Sequence, residues 1–558
     1  MKLPTTLLCV TLGLPALAGP VGPRAVPLVT LQGYGVFSGI SIDKTISGVA
    51  MPSAVDAWLG MDYATQPVGD RRFQPVDWPT SFEGVKAANK MPPACPQALT
   101  AALPKELQSE ACLQFSVFRT PGIPLDEKLP VIVWIPGGAF NRGRQELFDG
   151  ASFVAHSPKP LVFISFHHRL GFLGFPSVDL FERAGLLNLG IRDTRHFLEF
   201  VQRHIESFGG DRDKVTLAGL SAGAHGVGIQ HVHGYGPDGG PLFSQVYYMS
   251  GSSTSRAFPG VDYPLYKRQY SDFLGRIGCA GSKDDAATMA CLKTASLDDM
   301  RAASVGVFQA SEQPITWAWQ PVIGGALFER SGTSSFTNGT FYKVPVMTSN
   351  TRDEARLYIP GNLETNQQFL DFMRNISPGM NDEDMAELER LYPDPLTHPD
   401  SPYALSPNST QYSRLSAAWT DYAYHCPSQT NAYYPAVEGQ PVWKMVWETP
   451  NLQPAWQGVP HATDAAYTWA EPTVQYPEIA RMQHAYVASY VLTGNPNEYR
   501  YPGTPEWPRY KPKGYGLDAE AADQLVFQPS GPVVGKDDMR REACLFWRDP
   551  VRAARLNK

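Results

Sequence analysis

One short stretch constrains this chain more than any other: Gly219-Leu220-Ser221-Ala222-Gly223, the single Gly-x-Ser-x-Gly in the sequence. By itself the pattern is weak, because glycine and serine are common. Its setting gives it meaning. It directly follows a β-rich apolar run, Lys214 to Leu220, and opens a stretch of helical character, Ser221 to His231. A serine on a sharp strand-to-helix turn stands exposed above a sheet, and flanking glycines let the backbone pack tightly beneath it. Ser221 is therefore the candidate nucleophile.

The surrounding runs say what that turn is built into. Leu129 to Pro136, Leu161 to Phe166, Lys214 to Leu220 and Gln245 to Gly251 are short and continuously apolar, as parallel strands buried on both faces are. Between the second and third, Asn188 to Phe208 carries apolar residues at helical spacing and is stopped by Gly209-Gly210. Strands alternating with helices predict an α/β architecture with a mostly parallel central sheet flanked by helices. Val344 to Asn350 and Val442 to Glu448 add further strands. The Pro- and Tyr-rich segments between them are expected as large insertions at the carboxyl ends of the strands, where such sheets bind ligands. No linker interrupts the pattern, so residues 19–558 are expected to form a single domain.

A nucleophilic serine needs a base, a group that orients the base, and N–H donors for the oxyanion. Pro136 to Phe140 follows a strand upstream of the turn, and Gly138 and Ala139 are its candidate donors, joined by the amide of Ala222. Four histidines follow Ser221 at a useful distance: His398, His425, His461 and His484. His398 lies in a Pro-rich loop, His425 adjoins Cys426, and His484 sits in a helical stretch. His461 opens a loop that can present its ring at a sheet edge. The residues alone leave this choice open. They also leave open whether Asp353 or Glu354, both just past a strand, is the carboxylate partner. His231 and His233 form a possible metal pair, but no carboxylate cluster accompanies them, and they read as a solvated face.

Residues 1–18 have the form of a signal peptide: Lys2, an apolar stretch from Leu3 to Leu17, and a small-x-small site at Ala16-Leu17-Ala18. No other run reaches the roughly 18 apolar residues a membrane span needs. A secreted protein with no stable membrane insertion is expected. Of seven cysteines, Cys9 falls in the signal peptide. The remaining six, Cys95, Cys112, Cys279, Cys291, Cys426 and Cys544, suggest three disulfides whose pairing the spacing does not settle. Asn338, Asn375 and Asn408 head glycosylation sequons. The net charge of −7 with no clustered basic patch argues against a nucleic-acid partner.

Several segments, in this order, jointly resemble the type-B carboxylesterase and lipase family that also contains the cholinesterases. They are Trp58 to Phe73, Ser109 to Arg119, Trp134 to Phe140, Phe208 to Ala224, Gly458 to Trp469 and Thr493 to Asn497. The similarity runs from about Val36 to Trp547 and is closest in style to secreted fungal members. It implies an α/β-hydrolase fold and hydrolysis of small-molecule esters with no metal or organic cofactor. It places the family's glutamate at Glu354, within Asn350 to Ala355, with Asp353 second; the motif here has one extra residue and alanine for glycine. It places the base at His461. It implies disulfides Cys95–Cys112, Cys279–Cys291 and Cys426–Cys544, a buried ion pair of Glu110 with Arg169, a structural carboxylate at Asp464, and Ser252 near the histidine. Two departures matter. Leu220 stands where the family usually has glutamate. The loop between Cys95 and Cys112 holds 16 residues with no aromatic for a cation–π contact, and is short beside the lid of family lipases.

The expected function is hydrolysis of neutral esters of short to medium acyl chain through an acyl-enzyme at Ser221. The rival expectations are a triacylglycerol lipase, a tailoring esterase or acyltransferase on a natural product, and a non-catalytic cholinesterase-like recognition protein. Proteins of that last kind lack one of the three catalytic residues, and all three have a match here.

Overall fold

The apolar runs become strands buried on both faces. In the computed structural model, which describes residues 26–233, 241–325 and 327–558, eleven strands share one sheet. The signal-peptide segment lies outside the described residues. In chain order the strands begin with β1 (Ile40–Lys44), β2 (Ala50–Asp62), β3 (Gln114–Arg119), β4 (Leu129–Ile135) and β5 (Val162–Phe166). Then come β6 (Gly210–Leu220), β7 (Gln245–Met249), β8 (Val346–Thr351), β9 (Val442–Trp447), β10 (Asp523–Gln528) and β11 (Gly531–Lys536). Their spatial order is β11-β10-β9-β8-β7-β6-β4-β5-β3-β2-β1. From β5 through β10 every neighbour pair is parallel, and both flanks are antiparallel.

Along β4 the side chains divide strictly by parity. Val131, Val133 and Ile135 enter one core, and Ile132 and Trp134 the other. Successive strand side chains point to opposite faces, so a strand covered on both sides must be apolar throughout. Helix α1 (Leu189–His204) covers the first face with Phe197, Leu198, Phe200 and Val201. Each such fully buried side chain contributes about 1.5–3 kcal/mol, which makes the centre of the sheet a rigid mount. The expected helix started at Asn188, but that residue takes the left-handed conformation (φ 55°) and its side chain instead bonds Val322. Helix α2 (Ala222–Val232) follows β6 directly.

Large insertions gather at the carboxyl ends of the strands. Helices α3 (Pro264–Arg276), α4 (Asp285–Thr294) and α5 (Leu297–Ala310) lead from β7 toward β8. Asp284 and Ser296 cap α4 and α5 by accepting backbone N–H bonds. Phe273, Leu292, Met300 and Phe308 pack there with Phe172 and Trp319 as a third core.

Three disulfides join Cys95 to Cys112, Cys279 to Cys291 and Cys426 to Cys544. The loop closed by the first is held down along its length. Gln97 exchanges two hydrogen bonds with Gly143, and Arg144 donates to the Ala102 carbonyl. At its far end Glu110 takes both arms of Arg72, whose remaining N–H groups bond the carbonyls of Leu292, Lys293 and Ala295. This corrects the expected Glu110–Arg169 pair: Arg169 is instead clamped by Asp193 of α1. His231 also departs from expectation. It is fully buried, with Nδ1 at the Tyr248 hydroxyl and Nε2 at the Tyr342 carbonyl, because α2 is enclosed on every side. Asn338, Asn375 and Asn408 are all exposed, and no helix among the described residues is long and apolar enough to cross a membrane.

Candidate active site

The turn after β6 shows why its sequence is glycine-rich. Ser221 adopts φ 59° and ψ −125°, backbone that L-residues rarely occupy. A Cβ at Gly219 would meet the Gly223 carbonyl carbon at 2.6 Å, and one at Gly223 would meet the Ile135 oxygen at 2.1 Å. Only glycine fits either place, so β4, β6 and α2 close together under the serine. The Ser221 N–H donates to the Met249 carbonyl of β7, and its own carbonyl accepts from His225.

The loop after β4 arrives from the other side. A Cβ on Gly137 would lie 2.6 Å from the Leu220 oxygen and 3.1 Å from Ser221 Cβ. Gly138 and Ala139 both have positive φ (126° and 54°). The Gly138 carbonyl accepts from the backbone N–H groups of Asn141 and Arg142, which turns the Ala139 N–H of the same peptide the opposite way. Among the described residues the N–H groups of Gly138, Ala139 and Ala222 have no acceptor, the condition a waiting oxyanion site requires.

Of the candidate histidines, the structure brings His461 to a carboxylate. Its Nδ1–H donates to Glu354 Oε2 at 2.5 Å, and the pair is buried. Glu354 Oε1 accepts from the Thr351 N–H at 2.7 Å, fixing the carboxylate at the end of β8. Asp353 is turned away: it accepts from the Val459 N–H and pairs with Arg352 and Arg356. His461 Nε2 is buried and has no partner among the described residues. His398 is exposed, His425 bonds the Met539 carbonyl and His484 the Thr468 carbonyl, so none competes for the role.

Two tyrosines complete the setting and carry no signal in the sequence. Tyr424, in the π-helical turn Asp421–His425, packs its ring 4.6 Å from the His461 ring, and its hydroxyl lies beside those of Ser221 and Tyr358. Tyr358 packs on the imidazole from another side at 5.3 Å. Burial, then the nearby Glu354 charge, pushes the Tyr424 phenol far up, so it remains a neutral hydroxyl. Ser252 follows β7, and its hydroxyl donates to Asn431 while its N–H donates to His225 Nδ1.

Asp464 is fully buried, and burial followed by the Glu354 charge pushes it up to about 8. Unfolded, an aspartate ionises near pH 3.9. Between those limits the native state binds more protons than the unfolded one, so stability contributed at low pH is lost as pH rises toward 8. Asp464→Asn is expected to flatten the thermal-midpoint profile between pH 5 and 7.5, removing up to about 1.4 kcal/mol per pH unit. An unchanged slope would place that proton elsewhere.

Residues 26–532 match the profile of the carboxylesterase family. The chain is 52% identical over 531 residues to "Secreted lipase 4" of Gibberella zeae, covering 95% of each protein. It is 30% identical to "Lipase 1" of Geotrichum candidum, covering 75% of this chain and 79% of that one. Aspergillus niger EstA shares the fold, with a TM-score of 0.80 at 24% identity over 95% of this chain and 99% of the other. The strained serine turn, the buried imidazole and the family match agree: this chain belongs to the carboxylesterase family of carboxylic ester hydrolases.

Proposed function

We propose that the chain is a secreted hydrolase of neutral carboxylic esters with short to medium acyl chains, working through an acyl-enzyme at Ser221, with residues 19–558 as one catalytic unit. Ser221 Oγ attacks the ester carbonyl while His461 Nε2 takes its proton and passes it to the departing alcohol. Glu354 holds the imidazole in the tautomer with Nε2 free and stabilises the imidazolium that forms. The N–H groups of Gly138, Ala139 and Ala222 receive the oxyanion. Water then attacks the acyl carbon as His461 takes its proton, and His461 returns that proton to Ser221 Oγ as the bond to the serine breaks and the acid leaves. The observation that carries this reading is the Glu354-held imidazole with its buried Nε2 unpartnered among the described residues, its ring packed on Tyr424, whose hydroxyl lies beside that of Ser221. Export is supported by the signal-peptide form of residues 1–18 and by the name of the Gibberella zeae relative.

The relatives' names favour a second reading, a lipase acting at oil–water interfaces. The fold argues for the first, because the Cys95–Cys112 loop is pinned to Gly143 and Arg144 and, through the Glu110–Arg72 pair, to the end of α4, and is not poised as a mobile lid. Buried Leu220 supplies no charge for a quaternary ammonium, and the loop supplies no aromatic face. The test follows the rate on a short-chain triglyceride through its solubility limit, with butyrylcholine measured alongside. The rate is expected to saturate smoothly, and butyrylcholine to be roughly one to three orders of magnitude slower than an uncharged butyrate ester. A sharp rise as droplets form would favour the lipase, and a preference for butyrylcholine would overturn the argument from Leu220.

A further inference from the structure

Arg256 leaves the loop after β7 and is only 8% exposed, yet no carboxylate pairs with it among the described residues. Its guanidinium lies over Trp317, with Cζ 4.2 Å from the ring centroid, and Nη2 donates to Gln320 Oε1 at 3.2 Å. Both partners are neutral. The groups near it that could ever carry a negative charge are phenols, chiefly Tyr424 and Tyr422, and both are held neutral by burial. Two other buried arginines are compensated directly: Arg72 by Glu110 and Arg169 by Asp193. Arginine stays protonated in proteins, and a buried charge with no counter-charge is strongly unfavourable. A glutamine or methionine would fill the same space at less cost if filling were its only task.

Its location ties that unmatched charge to the reaction. Arg256 lines a pocket with Tyr263, Trp317, Gln320, Trp419 and Tyr422. Gln320 also donates to the Ala139 carbonyl at 2.9 Å, so the pocket borders the oxyanion loop. Trp317 packs on Tyr358 at 5.6 Å, and Tyr358 on His461 at 5.3 Å, so a single ring separates the pocket wall from the imidazole. The guanidinium N–H groups not used by Gln320 have no acceptor among the described residues, and a planar fork held on an aromatic face matches a carboxylate.

We propose that Arg256, oriented by Trp317 and Gln320, binds a carboxylate carried by the ester substrate away from the bond that is cut. Neutral esters are accepted, and esters bearing a remote carboxylate are preferred. This rests on Ser221 and His461 acting as proposed above. The carboxylate can belong to the acyl part, as in a half-ester of a dicarboxylic acid, or to the alcohol part, as in an acylated hydroxy acid.

Two substrate series at pH 7.5 separate these sources and test the idea. One runs through the monoethyl esters of dicarboxylic acids from succinate to suberate, each against the same ester ending in a primary amide. The other sets acetylated ω-hydroxy acids of similar lengths against their amides. At the best length, kcat/KM is expected to favour the acid over its neutral amide by about tenfold or more, the scale of a charge-assisted bidentate contact. The series that shows it identifies which part of the substrate lies at Arg256. Arg256→Gln is expected to bring that ratio close to one, and Arg256→Lys to keep part of it. The native protein's ratio decides the matter even if Arg256→Gln fails to fold. Equal rates on acids and amides in both series, in a protein that hydrolyses the amide-ended esters, would overturn the proposal. So would an acid preference that survives Arg256→Gln. A protein that hydrolyses no ester and takes up no organophosphonate would instead refute the Ser221 reading, and this proposal with it.

Discussion

Ser221→Ala is expected to lower ester hydrolysis by roughly three or more orders of magnitude and to abolish labelling by an organophosphonate. Removing the nucleophile forfeits the acyl-enzyme route, and because the base and its carboxylate act only through the serine, they cannot compensate. What remains is the weaker contribution of the oxyanion donors and of binding, which Ser221→Ala leaves in place. Alanine meets the same backbone conformation with a similar Cβ, so the turn at φ 59° is conserved and the loss reports chemistry rather than folding. Ser252 is the instructive control. It follows the neighbouring strand, but its hydroxyl is committed to Asn431. Phosphonate found on Ser252, or on any serine in Ser221→Ala, would sink the assignment.

Glu354→Gln is expected to slow turnover by roughly two to four orders of magnitude while the protein stays folded. Its amide oxygen can still accept the Thr351 N–H, as Glu354 Oε1 does at 2.7 Å. The amide nitrogen then faces His461 Nδ1, and a donor there forces the imidazole into the tautomer that protonates Nε2. The base is blocked at the atom that must receive the serine's proton, and the imidazolium loses its counter-charge. Asp353→Asn is the paired measurement. Asp353 secures the backbone of Val459 and two arginines, so its loss should lower the thermal midpoint more than kcat. A larger fall in kcat from Asp353→Asn than from Glu354→Gln would mean that the wrong carboxylate has been assigned.

The parallel centre of the sheet was readable from the chain because burial on both faces leaves an unmistakable mark, an unbroken apolar run. The outer strands left none. In β2 the first half is largely exposed and contains Pro52, so neither alternation nor a continuous run marks it. The serine turn was legible because its glycines flank the serine directly, at fixed positions after an apolar strand, whichever distant backbone they pack against. Partner choice between distant charges was not. Glu110 was expected to pair with Arg169, and only the folded chain brings Arg72 to Glu110 and Asp193 to Arg169. The residue pattern around His231 and His233 suggested a wet face, yet every residue of α2 is buried, since the helix is wrapped by the sheet and by later segments. Tyr424, Tyr358 and Arg256 reach the site from three separate insertions, and nothing local to any of them foretells the meeting.

The backbone at Ser221 has a consequence for what kind of protein can persist with this sequence. Holding a residue other than glycine in such a conformation costs about 1–3 kcal/mol, a sizeable fraction of the 5–15 kcal/mol by which domains typically stay folded. Glycine would relieve it and leave the fold more secure. A chain that served only as a scaffold or a docking surface would gain by that exchange and lose nothing. Drift toward stability therefore pulls steadily against the serine at this spot, and the side chain survives there only while turnover itself is under selection. A serine on relaxed backbone would carry no such implication.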